Sequence, residues 1–69
     1  MDNTYLMFME ELVEKFQERW HDEYSHIVYY PTKHEATRFL RRAQGDVTRA
    51  LDLFSDYILA NNLADEVVE

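Results

Sequence analysis

Residues Ala36 to Ala50 read ATRFLRRAQGDVTRA, and this stretch decides the fold. Ala36, Phe39, Leu40 and Ala43 recur at i, i+3, i+4 and i+7, the spacing of one apolar face of a helix. The stripe stops at Gly45, the sole glycine of the chain, which reaches the left-handed conformation that closes a helix. Asp46 follows as a strong N-cap for a new helix beginning at Val47. One or two residues remain for the connection. The spacing therefore predicts a tight hairpin of two helices packed through Phe39/Leu40 on one side and Ala50/Leu51 on the other.

Outward from this hairpin the pattern stays helical. Tyr5, Phe8, Met9, Leu12, Phe16 and Trp20 form one stripe, predicting a long first helix over about residues 5–24, capped by Asp2, Asn3 or Thr4. Its charged face is mixed, with Glu11, Lys15 and Arg19 four residues apart. Ser25 to Pro31 carries Ile27, Val28, Tyr29 and Tyr30 but has no second segment to pair with as a sheet, so a connector over 25–32 is expected. Pro31 disfavours helix at Tyr30, and Thr32 with Glu35 has capping-box spacing for a second helix over about 33–44. Val47, Ala50, Leu51, Phe54, Tyr57 and Ile58 continue the third over about 47–60, ending at Asn61 and Asn62. Leu63, Ala64, Val67 and Val68 allow a fourth short turn or a tail. The expected fold is an all-α bundle of three helices in one domain spanning residues 1–69.

Sixty-nine residues sit near the lower limit for a self-sufficient core and leave little room for an enclosed catalytic pocket. There is no cysteine, hence no disulfide or thiolate metal site. One Gly, one Pro and 46% apolar residues argue against disorder. No membrane span or signal peptide is recognisable, so a soluble, cytoplasmic protein is the default expectation. The net charge of −7 is unevenly distributed: residues 1–32 and 50–69 each contribute −5, and residues 33–49 contribute +3. A basic middle helix thus lies between acidic flanks. Nucleic acid is not expected as a partner, since phosphate-backbone affinity comes from accumulated Lys and Arg.

Arg38-Phe39-Leu40-Arg41, followed by Asp46-Val47 and Ala50, resembles the N-terminal helical domain of CRAL-TRIO lipid-binding proteins. That family shows a Leu-Leu-Arg-Phe-Leu-Arg-Ala-Arg run, then Asp-Val and a spaced Ala. The likeness continues through Leu51-Asp52-Leu53-Phe54 and Tyr57, with Phe8-Met9-Glu10-Glu11-Leu12 similar to its first helix. The version ahead of the lipid-binding domain in a non-receptor protein tyrosine phosphatase is especially similar. Ala36 and Thr37 stand where the family has leucines, and Gly45 where it has an aromatic residue. The resemblance implies a non-catalytic helical interaction or regulatory module of a lipid-binding, trafficking or signalling protein, with the lipid pocket in a following domain. The Gly-Asp-Val turn and the Ala-containing helix also resemble ubiquitin-associated (UBA-like) domains, although the Met-Gly-Phe type of loop is absent and helix one is longer. A third reading is an acidic inhibitor that mimics nucleic acid, against which the arginines count.

Several side chains stand out as candidate sites. Arg38, Arg41 and Arg42 project opposite Phe39 and Leu40, where guanidinium forks match a phosphoinositide headgroup or a phosphorylated partner. The same arginines equally suit pairing with helix-one carboxylates, or solvation. Tyr29 and Tyr30 present an aromatic surface for a protein partner or else cover the end of the bundle. Leu53, off the main stripe, is the candidate exposed apolar anchor. Glu18, His21 and Asp22 share a helix face but fall short of a metal ligand set. No nucleophile, glycine-rich phosphate loop or cofactor motif is present, so neither catalysis nor a cofactor is expected.

Overall fold

The computed structural model describes residues 3–61, with side chains described from Met7 onward. They form three helices, α1 (Asn3–Glu23), α2 (Lys33–Arg42) and α3 (Val47–Ala60), each packed against the other two. The side chains expected to cap α1, those of Asp2, Asn3 and Thr4, the Tyr5 side chain, Asn62 and the segment from Leu63 to Val68 lie outside the description.

Both starts anticipated from local chemistry are made as expected. Thr32 Oγ1 accepts the Glu35 amide at 3.1 Å and Glu35 Oε1 accepts the Thr32 amide at 3.0 Å, a reciprocal capping box. Asp46 Oδ1 accepts the Arg49 amide at 3.2 Å and opens α3.

The end of α2 departs from expectation. The helix stops at Arg42, two residues short of the predicted Gln44, and two residues rather than one take positive φ: Gln44 at 57° and Gly45 at 88°. The Gly45 amide donates to the Leu40 carbonyl at 2.8 Å and the Gln44 amide to that of Arg41 at 3.1 Å, the two bonds of a Schellman closure. The position that most often carries glycine in this closure is therefore occupied by Gln44. Gln44→Gly is expected to stabilise the domain by about 0.5–1 kcal/mol, because relief of left-handed strain exceeds the added unfolded-state entropy. Thermal unfolding followed by circular dichroism should show a rise of a few degrees; an unchanged or lower Tm would mean that Gln44 is held there by more than backbone closure.

The core is supplied by Val13, Phe16 and Trp20 of α1, Ile27 of the connector, Ala36, Phe39, Leu40 and Ala43 around α2, and Ala50, Leu51, Phe54 and Ile58 of α3. Phe54 is its hub. Its ring lies 4.9 Å from Trp20, 5.0 Å from Phe39 and 5.7 Å from Phe16, all edge to face, the arrangement that sets a positive ring edge on a negative face. Phe39, Leu40, Ala50 and Leu51 are all buried, consistent with the predicted hairpin seam.

Burial corrects the expected stripes in three places. Phe8 is 56% exposed, whereas Val13, absent from the expected stripe, is in the core. The C-terminal end of α2 reaches α1 around Met9 and Leu12, and Phe8 lies on the rim of that contact, beside a hollow it shares with Leu40 and Gly45. Tyr57 remains 40% exposed, its ring resting on Phe39 at 5.4 Å.

Candidate functional site

α2 carries Lys33, Arg38, Arg41 and Arg42, and Arg49 follows on the first turn of α3; all five are exposed. The ion pairs among the described residues are Arg19–Glu23 at 2.8 Å and His21–Asp22 at 3.5 Å, so none of these five cations is neutralised by a neighbouring carboxylate there. Arg19 behaves differently. It also donates to Thr48 Oγ1 at 2.8 Å, bridging α1 to α3, and its hydrogen bond to Glu23 holds that carboxyl below its ordinary pKa.

The three arginines read from the sequence as one surface are divided by the structure. Arg41 lines a groove of about 380 Å³ between α1 and α2 with Met9, Glu10, Val13, Glu14, Lys33 and Thr37. Arg42 folds back over the Phe39 ring, 5.5 Å from its centroid, instead of pointing away from it. It borders a polar hollow at the α2–α3 turn with Gln44, Asp46 and Arg49. Arg49 had escaped sequence reasoning although a signal existed: a tight hairpin places the last turn of one helix beside the first turn of the next. Arg38 lies one turn before Arg42 on the same face.

The proposed aromatic surface is also redistributed. Tyr29 is half-buried: its carbonyl accepts Trp20 Nε1 at 2.6 Å and its hydroxyl donates to Glu35 Oε2 at 2.5 Å. Those bonds fix Tyr29 as part of the scaffold, and a partner would have to break them to use it. Glu35 is the residue that sequence reasoning undervalued, since one carboxylate both caps α2 and ties the connector to it. Tyr30 is 56% exposed, as is Val28 next to the same loop at 50%. Leu53 is half-buried and packs against the core, so it is not the exposed anchor its off-stripe position suggested. It borders the core stripe closely enough for the bundle to cover it.

Comparison of the chain with protein-family models, curated proteins and solved structures found no match. What the site can do therefore rests on its own chemistry. Among the described residues no group of three His, Asp or Glu side chains is placed to hold a metal, and Glu18, His21 and Asp22 are all exposed. No described helix is long and apolar enough to cross a membrane. Every buried side-chain nitrogen or oxygen among the described residues has a hydrogen-bond partner, including Ser55, whose hydroxyl donates to the Asp52 carbonyl at 2.9 Å.

Proposed function

We propose that the chain is a non-catalytic helical interaction module, of the kind its CRAL-TRIO N-terminal resemblance implies, in a cytoplasmic lipid-binding, trafficking or signalling protein. Its basic helix binds phosphate-bearing ligands. The observation that carries this reading is the set of five exposed cations on α2 and the start of α3, none paired with a described carboxylate, in a chain whose net charge is −7. Maintaining that concentration of like charge costs self-repulsion, which an anionic ligand relieves. Arg38, Arg42 and Arg49 supply guanidinium forks suited to bidentate contact with phosphate oxygens, and Arg41 flanks them.

The UBA-like reading has less support. Of the contact residues it would use, Tyr29 is tied to Glu35 and Leu53 is half-buried, leaving Tyr30 alone fully available. An acidic nucleic-acid mimic is disfavoured for the same reason that phosphate is favoured.

The test is a nitrogen-15 NMR titration with a soluble inositol polyphosphate, with phosphoinositide vesicles and with ubiquitin. Shifts should concentrate on residues 38–49 with either phosphate source. Affinity should fall at least about tenfold in R38E/R42E, since a lost charge-assisted hydrogen bond costs about 1.5–3 kcal/mol. Response to the soluble ligand alone would identify a headgroup or phosphoprotein site with no membrane component. Silence toward both sources, or shifts around Tyr30 with ubiquitin, would overturn the reading.

A further inference from the structure

The α1–α2 groove has a feature that phosphate binding does not use. Its α1 wall is acidic, with Glu10 and Glu14 one helical turn apart, and its α2 wall is basic, with Lys33 and Arg41 two turns apart and Thr37 between them. Met9 and Val13 form the apolar floor. The helices run in opposite senses across it: Gln17 Nε2 donates to the Pro31 carbonyl at 3.0 Å beside the start of α2, while Leu40, Gln44 and Gly45 meet Phe8, Met9 and Leu12 at its end. Glu14 therefore lies toward Lys33 and Glu10 toward Arg41. Neither pair closes to within 4 Å inside the molecule, so neither wall is engaged in a close ion pair there.

We infer that this groove is an interface for a second copy of the chain, related by a two-fold axis running along the groove. Such an axis exchanges the walls. The acidic wall of one copy then faces the basic wall of the other, with Glu10 opposite Arg41 and Glu14 opposite Lys33, each contact made twice. A surface with one acidic and one basic edge around an apolar strip is self-complementary under this operation, as an isologous interface requires. A two-fold axis across the groove would set acid against acid, so charge selects the orientation. The size of the groove and the overall negative charge place the dimer among weak, salt-sensitive associations. This inference goes beyond the proposed function and shares Lys33 and Arg41 with its set of cations.

The experiment is analytical ultracentrifugation of the whole chain at low salt. Wild type is expected to shift from monomer toward dimer between about 10 μM and about 1 mM, the regime of small polar interfaces. E10K/E14K makes both walls basic and K33E/R41E makes both acidic; each should stay monomeric alone, and an equimolar mixture should recover a one-to-one heterodimer. E10K/E14K also lowers the net negative charge, so its failure to self-associate cannot come from general repulsion. R38Q/R42Q, outside the groove, should lose phosphate and still dimerise, weakening association no more than a charge-matched change elsewhere on the surface does, which separates the two conclusions. All four substituted positions of the groove are exposed, and circular dichroism will verify that the helices persist. A wild type that stays monomeric throughout the range, or a mixture that fails to associate, overturns the inference whether or not phosphate binds.

Discussion

Phe54→Ala is expected to cost about 3–5 kcal/mol, the range for deleting a fully buried aromatic ring, while Phe8→Ala should change stability by less than about 0.5 kcal/mol. Both phenylalanines sit on apolar helical stripes, but their surroundings differ. Phe54 is completely buried and its ring meets those of Phe16, Trp20, Tyr29, Phe39 and Tyr57 at 4.9 to 6.3 Å, so all three helices and the connector lose contacts together. A domain of this size has a total stability of roughly 3–10 kcal/mol, so the Phe54 variant stands at or beyond the edge of folding at room temperature. Urea denaturation followed by circular dichroism measures both. Equal losses in the two variants, or a loss below about 1 kcal/mol at Phe54, would contradict the packing described here.

Glu35→Ala should produce the second largest loss, about 2–3 kcal/mol, since it removes the carboxylate that accepts both the Thr32 amide and the Tyr29 hydroxyl. The Tyr29 phenol then remains half-buried without its acceptor. Glu35→Gln should lose less, because its amide retains one acceptor oxygen for two donors. Tyrosine absorbance supplies an independent reading of the same contact. The hydrogen bond to Glu35, then burial, then the nearby negative charge push the Tyr29 pKa up to about 12 from 10.0. A raised folded-state value means that this contribution is complete below about pH 10 and is lost as pH rises through about 12. In Glu35→Ala, one tyrosine should titrate at lower pH than in wild type, and the alkaline loss of stability should flatten. If the stability falls while the tyrosine titration is unchanged, Glu35 acts through its helix cap alone.

The same contact illustrates how far sequence reasoning reaches. Thr32 and Glu35 are three residues apart, so the capping box is written into local geometry and was legible. That the other Glu35 oxygen also receives Tyr29 depends on the connector folding back over Trp20 and Gln17, a long-range event with no local signature. For the same reason local spacing does not fix the availability of Leu53, which the bundle covers, or of Tyr29, which it ties to Glu35: each depends on what packs beside it.

What the sequence by itself determined was the set of helices and their starts. A 3.6-residue apolar period, the Thr32 and Asp46 caps and the single glycine act through hydrogen bonds and sterics spanning four or five residues, and these dominate wherever neighbouring choices agree. Only the tertiary structure decided which apolar residues are enclosed and how the arginines of α2 are shared between grooves. Phe8 and Phe54 have equal claims by periodicity, and only the place where a neighbouring helix ends distinguishes them. Arg41 and Arg42 are adjacent in sequence, yet the 100° turn between successive helical residues sends one toward the α1 carboxylates and the other toward Arg49. Burial and electrostatic neighbourhood are properties of the space between helices, and that space is fixed only when the helices pack.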